Sequence, residues 1–208
     1  MSWQPRVTVL DGFLSARECA LLISFARKGL KPSTVVDTLT GDPIADEWRT
    51  SSGYFLSEEE EHHWAVQAIN DRISLFSQTP AENGESMQVL RYKNGQFYKP
   101  HEDFIYPDEA SNVTFASRVA TVVMYLTNGV VGGETWFVNG TGSCKCGGEE
   151  VDGISVQPQM GRAVLFFNTN LWGNADPTAM HAGCKVVGGE KWSATKWIGA
   201  EPWGLRDT

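Results

Sequence analysis

The sequence predicts a mainly β protein with N-terminal helices, closed as a sandwich or jelly roll. Three observations carry this. Two segments before residue 80 repeat apolar residues at helical spacing, each behind a serine placed as an N-cap. After Pro80–Gly84 the texture changes to short apolar runs divided by Gly, Asn, Asp and Pro. The short strands number roughly eight, and a two-sheet sandwich or jelly roll is the natural closure for that many.

Each element has its own signal. Val7 to Leu10 reads as a short strand. Ser15 then caps a helix with Cys19, Leu22, Ala26 and Leu30 on one face. Residues 33 to 53 are polar and punctuated by Gly and Pro, and end in Arg49-Thr50-Ser51. A loop of that length is often functional. Ser57-Glu-Glu-Glu60 is a capping box, and opens a second helix with Val66, Ile69, Ile73 and Phe76 on its core face. His62 and His63 fall at the start of that helix among Glu58 to Glu61, and read as solvated. Six later runs read as strands: Val89 to Tyr92, Val119 to Leu126, Thr135 to Val138, Ile154 to Val156, Ala163 to Phe167 and Trp192 to Ile198. No repeat or linker divides the chain, so a single domain is expected over 1–208. Residues 1–84 would supply helical support and a substrate loop, and 85–208 the β core.

The chain has 208 residues, 41% hydrophobic and 20% charged, which is ordinary globular composition. Its net charge of -8 argues against a nucleic-acid partner, whose phosphates it would repel. No apolar run reaches the roughly 18 residues of a membrane helix. Met1 to Arg6 is not followed by a signal-peptide core. The chain as written reads as cytoplasmic; an upstream targeting segment would put it in the endoplasmic reticulum lumen or secretory pathway. In that setting Cys184 pairs with Cys144 or with Cys146, and Asn112-Val-Thr114 and Asn139-Gly-Thr141 are glycosylation candidates. The spacing of the Cys lacks the paired knuckles of a zinc site.

The chemistry concentrates in few residues. His101 and Asp103 lie two positions apart, so on a strand they would share a face. His181 is the second imidazole. Two His and one carboxylate form the facial triad of non-heme Fe(II) oxygenases, which leaves three coordination positions open.

The surrounding blocks make the chain recognisable. Gln88-Val-Leu-Arg-Tyr92, Gly95-Gln-Phe-Tyr-Lys-Pro-His101-Glu-Asp103 and Arg118-Val-Ala-Thr-Val-Val-Met-Tyr-Leu126 come in order. Gly132-Gly-Glu-Thr135, His181-Ala-Gly-Cys184 and Gly189-Glu-Lys191-Trp-Ser-Ala-Thr-Lys-Trp197 follow. Together they resemble the catalytic domain of a prolyl 4-hydroxylase of the plant, algal and collagen-type branch. That resemblance implies a double-stranded β-helix, a form of jelly roll. It also implies Fe(II), 2-oxoglutarate and O2, with ascorbate as a helper. Carried onto matching positions, it makes His101, Asp103 and His181 the iron ligands. Lys191 pairs with the distal carboxylate of 2-oxoglutarate, to which Tyr92 and Thr135 offer hydroxyls. Trp197 lines the wall between co-substrate and peptide. Tyr98, Arg118 and Glu85 shape the peptide groove. The implied partner is a proline-rich peptide in polyproline II form.

One departure stands out. Gly199 occupies a place where many members carry His, which bears on the grip on peptide. Two other readings remain open. One is a 2-oxoglutarate-dependent hydroxylase of another side chain or a small molecule; the Lys at 191, where lysyl hydroxylases typically place Arg, counts against the lysyl version. The other is a non-enzymatic β-sandwich binding module, against which stands the complete ligand set.

Overall fold

The computed structural model describes residues 2–33, 35–36, 43–44, 48–106 and 117–203. A major sheet of eight strands runs in the order Ser2–Trp3, Arg6–Leu10, Ala163–Phe167, Arg118–Tyr125, Lys191–Gly199, Gln88–Tyr92, Ser52–Phe55 and Lys31–Pro32. A minor sheet of four runs Ile154–Val156, Thr135–Phe137, His181–Gly183 and Tyr98–His101. Neighbours are antiparallel, and most are distant in sequence. The fold is a jelly roll, as the strand pattern predicts.

Strand alternation divides the core into two layers. Val164 and Phe166 point with Val7 and Tyr125 toward Phe137 and Val156 of the minor sheet, so the two sheets pack face to face there. Ala163 and Leu165 point the other way, with Val122, Met124, Ala194 and Ile198, against the helices. The helix α1, Ala16–Ala26, presents Cys19, Leu22 and Ala26 to that layer. Ser15 is its N-cap as expected, and the structure adds a full capping box: Ser15 Oγ accepts from the Glu18 amide while the Glu18 carboxylate accepts from the Ser15 amide.

The expected second helix is two helices. The capping box at Ser57 opens only α2, Glu58–Glu61. His63 then starts α3, Trp64–Ser77, as its N-cap, with Nδ1 accepting from the Ala65 amide at 3.2 Å. The break turns Glu61 inward, where its carboxylate takes the Met87 amide, Asn70 Nδ2 and Lys196 Nζ. Val66, Ile69 and Ile73 are buried as the periodicity requires, whereas Phe76 is half-exposed and meets Phe13 only edge-on.

Three further differences concern strands. The chain leaves the sheet after His101, so Asp103 lies outside the strand and the shared-face argument for it does not apply. A hairpin of Ser143–Cys146 with Glu149–Asp152 was not expected. Its turn is Gly147-Gly148, both at positive φ (61° and 92°), which suits a tight hairpin turn. Strands Arg6–Leu10 and Ser52–Phe55 extend the major sheet, so the first 84 residues contribute more than helical support. The long loop holds a short ribbon of Val35–Val36 with Pro43–Ile44. The segment 107–116, expected with it to fold over peptide and carrying the Asn112 sequon, lies outside the described residues.

Candidate active site

His101 ends one strand of the minor sheet and His181 begins its neighbour; the two are cross-strand partners. Their rings come within 4.3 Å, centroid to centroid. Each Nδ1 donates to a main-chain carbonyl two residues back, His101 to Lys99 at 2.8 Å and His181 to Ala179 at 3.0 Å. That fixes both rings with Nε2 turned toward Asp103, at 3.7 Å and 3.6 Å from its two oxygens. The Tyr98 ring stacks on His101 at 3.6 Å, and the Phe166 ring backs His181 at 4.5 Å. Asp103 Oδ2 accepts from Thr121 Oγ1 at 2.8 Å, and Thr121 Oγ1 accepts from Asn168 Nδ2 at 2.9 Å.

Electrostatics prepares these groups for a cation. Burial would raise the Asp103 carboxyl, but His181, His101, Arg118 and the Thr121 hydroxyl outweigh it and hold the group at about 2. Burial and the neighbouring His181 push His101 down to about 3, against the pull of Asp103. At neutral pH the set therefore offers an ionised carboxylate and a neutral His101 imidazole. The three donor atoms lie within 4.8 Å of one another. Hard oxygen with imidazole nitrogen suits Fe(II), so the residues fit the ion the motif implies.

A cavity of about 50 Å³ opens beside the triad. Lys191 and Tyr92, cross-strand partners, and Thr135 line it together with the triad. The Lys191 ammonium lies 5.1 Å from the centroid of the Tyr92 ring and 5.5 Å from that of Tyr125. Among the described residues no carboxylate pairs with Lys191, although the residue is 4% exposed. Burial pushes it down to about 8. A buried cation without a partner, facing a cavity, is the site of an anion. This is the fit expected for a dicarboxylate co-substrate.

Tyr125 was missed from the sequence. Its hydroxyl donates to Thr135 Oγ1 at 2.7 Å, which leaves the Thr135 proton free to point elsewhere. A tyrosine at the end of a strand looks like core, and only the fold places it behind Thr135. Gly133 is needed beside it: φ is +69°, and a Cβ there would press on the Lys191 side chain at 3.1 Å.

A second, open groove of about 790 Å³ adjoins the cavity, and Arg49, Tyr98, Asp103 and Trp197 line both. Arg118 makes a bidentate pair with Glu85 at 2.6 and 2.8 Å, and lies 4.2 Å over the Trp197 ring. The Trp197 indole N–H is buried with no acceptor among the described residues. Burial pushes the Tyr98 phenol up to about 12, opposed by Arg49. The triad, Lys191, Tyr92, Thr135, Trp197, Tyr98 and Arg118 thus line the cavity or the groove, whereas Glu85 lines neither and reaches the groove only through Arg118. Arg49, 8% exposed, stacks on Tyr98 at 4.7 Å and donates to Gln88 Oε1 at 3.0 Å. The sequence marks it only as the end of a loop, since nothing local separates a groove arginine from a solvated one. Gly199 pairs with Arg118 across the strands, and its carbonyl accepts from Asn83 Nδ2 at 3.1 Å.

Cys146 bonds to Cys184, which resolves the open pairing, and Cys144 is a free thiol. The bridge ties the hairpin to the segment that carries His181. No described helix is long and apolar enough to cross a membrane.

Comparison with known proteins agrees with this geometry. Residues 87–199 match the model of the 2OG-Fe(II) oxygenase superfamily. The chain is 52% identical to prolyl 4-hydroxylase 1 of Arabidopsis thaliana over 95% of its own length and 70% of that protein. It is 44% identical to prolyl 4-hydroxylase 5 of the same plant, over 95% of this chain and 69% of the relative. The solved viral collagen prolyl hydroxylase of Paramecium Bursaria Chlorella virus-1, in complex with 2OG, superposes with a TM-score of 0.66 at 29% identity, covering 94% of this chain and 96% of that one. By sequence, fold and site, the chain belongs to the 2OG-Fe(II) oxygenase superfamily and, within it, to the prolyl 4-hydroxylases.

Proposed function

We propose that the chain 4-hydroxylates proline within proline-rich peptides, with Fe(II), 2-oxoglutarate and O2, and with ascorbate as accessory reductant. Succinate and CO2 are the co-products. The observation that carries this is the shared wall: Arg49, Tyr98, Asp103 and Trp197 border both the cavity that ends at Lys191 and the open aromatic groove. Substrate in the groove and co-substrate in the cavity would meet at the triad.

When bound, iron and 2-oxoglutarate would let O2 act as the oxidant: 2-oxoglutarate gives up two electrons on decarboxylation to succinate and the substrate C–H bond the other two, with one oxygen atom entering each. The protein's part is to bind, orient and exclude water. His101, Asp103 and His181 would hold the ion, and a set of three ligands would leave it positions for co-substrate and O2. Lys191 meets the distal carboxylate, and Tyr92 and Thr135 offer hydroxyls; without them burial of that charge would cost several kcal/mol. Tyr125 holds Thr135 in place from behind. Trp197 walls co-substrate from peptide, and Arg118, steadied by Glu85, is stacked across its ring. Tyr54, Phe55, Tyr98 and Trp197 give the groove an aromatic lining, which suits a preformed polyproline II helix with few backbone donors.

We place the chain in an oxidising compartment, the endoplasmic reticulum lumen or secretory pathway. The Cys146–Cys184 bridge supports this, because such bonds persist where thiols are not kept reduced. We also take residues 1–208 to act as a single dioxygenase domain, with 1–84 as support and substrate loop.

The test is a panel of proline-rich peptides with Fe(II), 2-oxoglutarate and ascorbate. Mass spectrometry is expected to show one added oxygen on proline, with peptide-stimulated succinate. Oxygen on another residue or on a small molecule would favour the alternative hydroxylase. Neither oxygenated product nor stimulated succinate would overturn the reading.

A further inference from the structure

We propose that Glu134 is a positioning residue for 2-oxoglutarate: a fixed, buried counter-charge behind Lys191 that holds the ammonium ready for the incoming carboxylate. The inference rests on the assignment of Lys191 to that carboxylate and deepens it.

Glu134 is 2% exposed, yet no cation pairs with it among the described residues. A buried carboxylate needs compensation, and here it comes from two neutral donors. Gly147 N–H donates to Oε2 at 2.9 Å and Gln157 Nε2 to Oε1 at 2.8 Å. Its main-chain carbonyl accepts from the Cys184 amide at 2.8 Å. So Glu134 is held by three separate segments: the turn of the Cys146 hairpin, the end of the Ile154–Val156 strand, and the chain just after His181. A side chain fixed this firmly keeps its charge at one place.

That place is behind the co-substrate wall. Glu134 lies between Gly133, against which the Lys191 side chain packs, and Thr135, which lines the cavity. Thr135 lines the cavity, whereas Glu134, just before the strand Thr135–Phe137, is absent from its lining and has its carboxylate on Gly147 and Gln157 instead. Two opposite buried charges thus stand close together without pairing, Lys191 on the cavity wall and Glu134 outside it. Such an arrangement stabilises the ammonium without filling the cavity, so the co-substrate carboxylate finds Lys191 unclaimed. Direct contact would have made the co-substrate compete with a salt bridge.

The groups that face Lys191 are few. Tyr92 comes from the neighbouring strand, Tyr125 from the central strand, and Thr135 from the minor sheet. The triad and Arg49 lie elsewhere on the cavity wall. Burial pushes Lys191 down to about 8, and Glu134 is the one charge that opposes it. Removal of that charge would therefore leave Lys191 neutral over more of the neutral range. A tenfold loss of proton affinity would take the charged fraction at pH 8 from about one half to about one tenth, a roughly fivefold loss of binding. At pH 6.5 the same loss would be under about twofold, because the ammonium is then still mostly charged.

The experiment is anaerobic calorimetry of 2-oxoglutarate binding to the Fe(II)-loaded protein at pH 6.5 and pH 8, with Glu134→Gln beside wild type. The expected result is weaker binding by about fivefold at pH 8 and by less than twofold at pH 6.5. In turnover, KM for 2-oxoglutarate should rise with pH while KM for peptide stays put. Gln157→Leu removes one ligand of the carboxylate but keeps the charge, so it controls for a merely structural effect. Should Glu134→Gln not fold, Glu134→Asp, which withdraws the charge by one methylene, is expected to show the same pH pattern at smaller size. Equal losses at both pH values, equal behaviour of Gln157→Leu, or unchanged affinity would each overturn the proposal. If wild type itself binds no 2-oxoglutarate, the assignment of Lys191 fails instead.

Discussion

Lys191 shows how function is written against stability at a single position. The residue is fully enclosed, pushed down to about 8 by burial, and without an ion pair among the described residues. An apolar side chain of similar volume would suit that place better in the unliganded protein. Lys191→Met is expected to raise the stability of the metal-free protein by about 1–3 kcal/mol at pH 7, read from urea denaturation. The same variant is expected to weaken 2-oxoglutarate binding on the order of a hundredfold, through loss of a charge-assisted hydrogen bond. A destabilised variant with intact co-substrate affinity would contradict both the burial and the role. The residue type was legible in the sequence only through its motif frame: a lysine between Glu190 and Trp192 has no local mark of burial. Tyr125 and Arg49 had no such frame and were missed, because a strand tyrosine and a loop arginine have ordinary uses elsewhere.

At the level of elements, the informative case is the Ser143–Cys146 and Glu149–Asp152 hairpin. Its strands lack apolar alternation, so periodicity does not find them. What holds the hairpin is covalent and long-range: the Cys146–Cys184 bridge spans 38 residues of sequence. Closing a loop of that length restricts the unfolded chain by about 4 kcal/mol in the entropic model, and measured effects run about 2–4 kcal/mol. The double variant Cys146→Ser/Cys184→Ser is therefore expected to lose about 2–4 kcal/mol in denaturant unfolding, and Cys144→Ser to lose little. A large loss from Cys144→Ser alone would mean that the pairing is wrong. The helices tell the opposite story. The N-cap at Ser15 and the capping box at Ser57 form where the sequence places them, since a cap is a contact within four residues. The break at His63 escaped notice because it depends on Glu61 turning to meet Met87 and Lys196, which are remote in sequence.

For the whole molecule, the site places ionisable groups inside the jelly roll, and stability must follow pH accordingly. His101 is depressed to about 3 from an ordinary value near 6.5, so the folded protein binds fewer protons than the unfolded chain between those limits. Its contribution is present in full above about pH 6.5 and is lost as pH falls toward 3. Asp103, held at about 2, adds a second loss below about pH 4. Metal-free protein should therefore melt at progressively lower temperature as pH drops from 6.5 to 3, and His101→Gln should flatten the upper part of that slope. Unchanged slopes in wild type and variant would show that His101 titrates alike in both states. Added Fe(II) should hold the protein up over the upper part of the same range, since protons and metal compete for the same nitrogens.

Alternation, caps and turn residues within the chain determined the fold class, and the ordered blocks around His101, Asp103, His181 and Lys191 determined the family chemistry. These are signals carried by neighbours in sequence or by a motif read as a set. The tertiary structure alone decided which cysteine pairs with Cys184, that Tyr125 braces Thr135, that Arg49 reaches the groove, and that the buried Glu134 carboxylate is held by Gly147 and Gln157. Each of these depends on which strands become neighbours. In a jelly roll most neighbours are far apart along the chain, and no local pattern records which ones meet.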